Sequence, residues 1–320
     1  MPSDICAVVA EQPGGGKTTS RRRRRRFAAQ VGEYLFITPA LGLLVAVVLL
    51  PMLVAVYLSV HRVKLVPPQI AFMGFATVFT GVENYVEVLT DSTFWGALSH
   101  TALFTAFTVA GALLLGLGFA LLLDSGVRGQ SLWRALMLLP WVIPPVVGGS
   151  TWAWILETRY GVLNNLIRAI NPDVQPVSWL ADPRLALLAV SVTNVWLRTP
   201  FMMVMLFAGL QAIPTEFYEA AAVDGASAWN RFRYVTLPQL RFVILVATLL
   251  EVIWTFRHFD VIQLMTGGGP GRATEVVTTL IYKVSFESFR FGPAAAMGVL
   301  MTLVLVVFTG GYIRALRARA

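Results

Sequence analysis

Six apolar runs, at residues 34–60, 97–123, 132–155, 185–210, 242–265 and 291–313, take up nearly half of this 320-residue chain. Spanning a hydrocarbon core of about 30 Å takes about 20 residues of helix, and every run is at least that long. Lipid offers no hydrogen-bond partner, so a spanning backbone must satisfy itself, as a helix does. The expected fold class is therefore an all-α integral membrane protein with six transmembrane helices. Composition excludes the soluble alternative. Only 13% of the residues are charged and 57% are hydrophobic, with mean hydropathy +0.70, whereas soluble domains carry about a quarter charged residues.

The net charge of +8 does not point to nucleic acid. Six positive charges form one run, Arg21 to Arg26, directly before the first apolar stretch. Basic residues that flank a span stay on the cytoplasmic side, and contact with anionic membrane lipid is a second use for them. Arg128, Arg134, Arg231, Arg233, Arg241, Arg314, Arg317 and Arg319 fall on that same side if the runs alternate across the membrane. Both termini are then cytoplasmic, with Arg62, Lys64 and Lys283 as mild exceptions outside. The arginine run could also be taken for a twin-arginine export signal, but the apolar stretch after it exceeds a signal core of about 7–15 residues. Residues 1–30 read as a disordered basic cytoplasmic tail and 31–320 as the membrane domain. Within the tail, Pro13 to Thr18 imitates a phosphate loop, yet Glu11 stands where its first glycine belongs, so ATP binding there is not expected. The single cysteine, Cys6, allows no internal disulfide.

One polar loop, at about 211–240, interrupts the apolar pattern on the basic side. Pro214 suits a helix start, and Glu216 and Glu219 favour the positive end of the helix dipole. Ala220, Ala221 and Ala222 are strong helix formers, Gly225 can adopt the left-handed cap, and Ser227 can start a second short helix. Trp229 and Phe232, three apart, share a face of that helix, and Pro238 is expected to stop it before the next span. Such a loop either rests on the bilayer surface or plugs an aromatic knob into another protein.

The order Glu219-Ala220-Ala221, Gly225, Leu237-Pro238 resembles the EAA loop of ABC importer permeases. Further motifs follow the order found in carbohydrate permeases of the maltose and glycerol-3-phosphate type. They are Phe72-Met73-Gly74 with Gly81-Val82-Glu83-Asn84-Tyr85, and Leu139 to Pro145 with Trp152 and Trp154. Gly161 with Asn164 and Asn165, Ala208 to Pro214, and Phe259-Asp260 with Thr266-Gly267-Gly268-Gly269-Pro270 complete the set. The resemblance covers nearly the whole chain from about residue 34. It implies the six-helix type I permease fold, with a third helix broken at its prolines and a cytoplasmic coupling helix. It also implies a bacterial or archaeal cell membrane, a second permease, two ATPase subunits and an extracytoplasmic solute-binding protein. ATP and Mg would be bound by the ATPases and no cofactor by this chain. The coupling residues implied are Glu219, Ala220, Ala221, Asp224, Gly225, Ala226, Trp229, Phe232 and Pro238. His100, where the group usually has Asn, and Glu251 depart from its pattern.

No catalytic or metal constellation is visible, since His61, His100 and His258 are scattered. Asp224-Gly225 imitates a lipid phosphotransferase motif without the later aspartates that chemistry needs. A deep carboxylate usually faces a cavity, so Glu251, with Trp254 and His258 at helical spacing and Arg257 beside them, is a candidate solute pathway. Asn194 in the fourth run is a weaker one. A structural pairing of Glu251 with the partner permease is equally open. Trp141, Trp152 and Trp196 are expected in packing or at interfaces, and Ala294, Ala295, Ala296 and Gly298 in close helix approach. The expected function is sugar import, with glycerol-3-phosphate or polyol import as an alternative. A self-contained secondary carrier would show an internal repeat and more deep carboxylates.

Overall fold

The computed structural model describes residues 37–65 and 75–317, and the chain forms two units, Met1–Val54 and Ala55–Ala320. The expected disordered tail, its arginine run, Cys6 and the Phe72-Met73-Gly74 motif lie outside the described residues.

Helix α1, Ile37–Ser59, includes everything described of the first unit. Residues 37–54 expose every side chain, most of them Leu and Val. An apolar surface on all sides suits lipid, not water.

In the second unit the strands β1, His61–Leu65, and β2, Phe75–Phe79, pair antiparallel with His61 opposite Phe79. The all-α expectation did not include this hairpin. Arg62, one of the basic residues expected outside, is bound 2.8 Å from Glu83 at the start of α2, Glu83–Thr90. Asp91 then caps α3, Ser92–Asp124, by accepting a 2.8 Å hydrogen bond from the Thr93 amide.

The third apolar run is two helices, α4, Gln130–Val142, and α5, Pro145–Ile155, bent by 96°. Pro140 stays inside α4, and the break falls at Ile143-Pro144, where two consecutive prolines withdraw two amide donors. After α6, Val162–Ile170, the Asn164 amide organises the loop. It donates to Thr158 O at 3.0 Å and Val177 O at 2.9 Å, and accepts from Trp179 Nε1 at 3.1 Å.

Helix α7, Ala186–Gln211, packs along α3. Gly111 and Gly116 of α3 make this possible. A Cβ on Gly111 would lie 2.7 Å from Val195, and one on Gly116 2.8 Å from Met202. Small residues at a seam let backbones approach and gain dispersion contacts where lipid supplies no hydrophobic drive. Ala112, Ala120, Met202, Met203 and Leu206 fill the same seam, fully buried.

The fifth apolar run departs from expectation at both ends. After α8, Thr215–Val223, one helix α9 runs from Ala228 to Phe256. Pro238 does not stop it. A widened π turn at Phe232–Thr236 interrupts the i→i−4 ladder immediately before the proline, so its missing amide breaks nothing further. At the other end α9 stops at Phe256 and a separate α10 spans Asp260–Met265, because the polar cluster Arg257, His258 and Asp260 divides the run. Helices α11, Val277–Tyr282, and α12, Phe291–Arg317, complete the unit. In α12, Ala294 and Ala296 are buried as expected, but Gly298 has nothing within 4 Å. The close approach is at Gly292, where a Cβ would meet His61 O at 2.5 Å. Five described helices are long and apolar enough to cross a membrane, or six if α4 and α5 count as one broken span.

Candidate functional site

Helices α7 and α9 bring an arginine and a glutamate together at depth. Arg198 Nε lies 3.3 Å from Glu251 Oε1, and the same oxygen accepts a 3.0 Å hydrogen bond from Thr255 Oγ1 one turn on. The Glu251 side chain is 0% exposed and the Arg198 side chain 20%. Burying a carboxylate without compensation costs several kcal/mol, so the pair explains how Glu251 can occupy a membrane helix. Glu251 Oε2 has no hydrogen-bond partner among the described residues. The Arg198 guanidinium also lies over the Trp254 ring, 5.7 Å from its centroid, and Phe201 meets Trp254 edge-on at 4.8 Å.

Beside this pair opens a cavity of about 600 Å³ lined by Trp141, Arg198, Trp254 and Arg257. That is within the range of about 300–1,000 Å³ typical of small-molecule sites. Arg257 is exposed, and its side chain makes no ion pair or hydrogen bond among the described residues. Of the tryptophans expected in packing or at interfaces, Trp141 lines this cavity, and Trp152 and Trp196 pack edge to face at 5.8 Å.

The other expected pathway residues sit elsewhere. His258 does not line the cavity; its ring is stacked on Phe104 at 6.3 Å and its carbonyl accepts from Thr278 Oγ1 at 2.7 Å. Asn194 is fully buried in the seam with α3, its Nδ2 3.4 Å from Thr108 Oγ1. Arg198 was not singled out from the sequence. A lone arginine inside an apolar run is itself a signal, since membrane-depth cations mark cavities or ion pairs.

At the other end of α7 lies the polar loop. Pro214 is the N-cap of α8, immediately before Thr215, and Glu216 lies in the first turn. The helix ends in a Schellman turn. Gly225 has φ +72°, its amide bonds Ala222 O at 3.0 Å, and the Ala226 amide bonds Ala221 O at 2.9 Å. Ser227 Oγ then accepts from the Asn230 amide at 3.3 Å and starts α9. Trp229 is 65% exposed and its ring lies 5.6 Å from Phe232. Phe232 is half-buried, against a cleft of about 360 Å³ shared with Asp124 and Tyr218. Glu219, Ala220 and Asp224 are exposed, Ala221 and Ala226 half-buried, and Glu219 makes no ion pair among the described residues. The turn is instead braced by Tyr218, whose hydroxyl is 3.1 Å from Thr236 Oγ1, a link the sequence did not reveal.

A second buried carboxylate, Glu275, lies after the Gly267-Gly268-Gly269-Pro270 segment, 3% exposed, held by Lys283 at 2.8 Å and Arg272 at 3.4 Å. Lys283, expected as a stray basic residue, is thus a structural counter-ion. His100 joins the same corner, its Nδ1 3.2 Å from Glu275 O.

Residues 112–320 match the family described as "Binding-protein-dependent transport system inner membrane component". The chain belongs to that family. Its members are ABC transporter permease subunits and not enzymes. The chain is 36% identical over 287 residues to the trehalose/maltose transport system permease of Thermococcus litoralis, covering 89% of this chain and 94% of the relative. It is 34% identical over 285 residues to the sulfoquinovosyl glycerol transport system permease of Agrobacterium fabrum, covering 89% and 90%. Among solved structures, a bacterial ABC transporter involved in import of the acidic polysaccharide alginate contains a chain of the same fold. The TM-score is 0.77 at 21% identity, over 93% of this permease and 99% of that chain.

Proposed function

We propose that this permease carries a sugar, from mono- to oligosaccharide, into the cytoplasm by alternating access driven by partner ATPases. The observation that carries the reading is the loop at 211–240, a Schellman turn at Gly225 leading to an exposed Trp229 on a family permease. An exposed tryptophan on a rigid turn is the chemistry of an interface anchor. The family description supports delivery of the solute by a binding protein, and the two relatives named above are named for transport of sugars or sugar glycosides.

In this reading two ATPase subunits bind ATP and Mg and dock on Glu219, Ala220, Ala221, Asp224, Gly225, Ala226, Trp229, Phe232 and Pro238. A second permease completes the pathway. Both termini and the loop face the cytoplasm of a bacterial or archaeal cell, and residues 31–320 act as the membrane domain. Closure of the ATPases moves α8 and the start of α9. Because α9 is continuous to Phe256, that motion reaches Glu251 and Trp254 along one rod. Converting a mostly inward into a mostly outward state takes about 5.5 kcal/mol of differential binding, shared between the ATPases and the loaded binding protein.

Import of glycerol-3-phosphate or a polyol is the second reading, its phosphate form favoured by the unpaired Arg257 guanidinium on the cavity. The test is uptake of labelled sugars and of glycerol-3-phosphate by cells with and without this gene. Gene-dependent sugar uptake that survives a protonophore but not ATP depletion is expected. Uptake abolished by the protonophore alone would overturn the ATP-driven mechanism in favour of a secondary carrier, and uptake of glycerol-3-phosphate alone would favour the second reading.

A further inference from the structure

We propose that the cavity between α4, α7 and the end of α9 is built for a carbohydrate that bears an oxyanion, a uronate or a sugar phosphate, with Arg257 as the group that receives the negative charge. The inference rests on the sugar-permease reading and adds the charge of the substrate.

Charge accounting within the cavity points this way. Two of its four lining residues, Arg198 and Arg257, are cations. Among the described residues only one anion answers them, Glu251, and it is fully buried beside Arg198 and is not a lining residue. Arg198 is therefore neutralised from within the protein. Arg257 is not, because no carboxylate lies within ion-pair distance of it among the described residues. The surface this chain contributes to the cavity is one cation in excess. A guanidinium beside a low-dielectric wall has few alternatives for charge pairing, and its planar fork matches a carboxylate or phosphate in bidentate fashion. The rest of the lining suits a sugar. Trp141 and Trp254 line it with aromatic rings, and Trp254 is held by an edge-on contact with Phe201 and by the Arg198 guanidinium. Glu251 acts here as a positioning residue. It fixes Arg198 against the ring and withholds its charge from the solute.

The test uses the whole transporter, purified with its companion subunits in lipid nanodiscs, and saturation-transfer NMR with cellobiose, cellobiouronate and cellobiose 6′-phosphate. The first two differ only by a carboxylate, and the third separates phosphate from carboxylate recognition. At least one anionic disaccharide is expected to bind about tenfold more tightly than cellobiose, the worth of one charge-assisted hydrogen bond. Arg257→Gln, at an exposed position without partners, should bring the two within about twofold. Arg257→Lys should keep part of the preference. Glu251→Gln should raise it, because Arg198 is released. Equal binding of all three sugars, unchanged by Arg257→Gln, would overturn the inference and leave the sugar reading standing. Loss of the companion permease from the Arg257→Gln complex would also overturn it, by assigning Arg257 to the subunit interface. Binding of none would overturn both the inference and the sugar reading of this cavity.

Discussion

Arg198 of α7 and Glu251 of α9 form an ion pair, Nε to Oε1 3.3 Å, whose acid is wholly buried and whose base reaches the cavity. That asymmetry makes the two ends unequal. Arg198→Met strands a buried carboxylate and should cost about 3–5 kcal/mol of stability, the penalty for a broken buried pair. Glu251→Gln leaves a guanidinium that can turn toward the cavity and should cost less. The double variant Arg198→Met/Glu251→Leu should regain most of the loss while uptake stays impaired. Thermal unfolding of the purified transporter in detergent checks the order, and additive losses in the double variant would contradict a direct pair.

Gly225 is required for its backbone and not for space. Its φ is +72°, and a Cβ there would have nothing within 4 Å. A β-branched residue in this conformation costs about 1–2 kcal/mol or more, whereas asparagine tolerates it. Gly225→Val should abolish uptake with normal membrane insertion, and Gly225→Asn should retain most of it. Equal activity of both variants in a transport assay would mean that the turn is not needed.

The Tyr218–Thr236 link ties α8 to the π turn of α9. A hydrogen bond of this kind is worth about 0.5–1.5 kcal/mol net. Tyr218→Phe and Thr236→Val should each weaken coupling, seen as ATP hydrolysed per solute moved, and the double variant should be no worse than either single one. Additive effects would mean that the two side chains act separately.

Gly116 and Gly118 lie in the same helix with opposite expectations. A Cβ at Gly116 meets Met202 at 2.8 Å, while Gly118 has nothing within 4 Å. Gly116→Val should force α3 and α7 apart and cost about 1–3 kcal/mol or more. Gly118→Ala should be neutral or gain about 0.5–1 kcal/mol from helix propensity. Thermal melts of the two variants would refute the seam if they matched.

The fold was legible where lipid dictates it. The apolar runs became helices because no other backbone satisfies itself there, and the prolines at 144 and 145 marked the break between α4 and α5. The loop was legible through local chemistry, since caps at Gly225 and Ser227 depend on near neighbours. What escaped depended on distant partners. Arg198 is 53 positions from Glu251 in sequence, and Tyr218 meets Thr236 only once the turn has formed. His258 shares helical spacing with Glu251, but α9 ends at Phe256, so the spacing no longer sets its direction. Pro238 misled because a π turn absorbed it.

The loop around Gly225 and Trp229 is proposed as the docking site of an ATPase. The most direct measurement is to purify the tagged chain in mild detergent from its native host, unaltered and as Trp229→Ala/Gly225→Val, and to identify what accompanies each by mass spectrometry. The account predicts an ATPase and a second permease with the unaltered chain, and the second permease without the ATPase for the variant. A stable chain without an ATPase, or a variant that holds the ATPase as firmly, would contradict it.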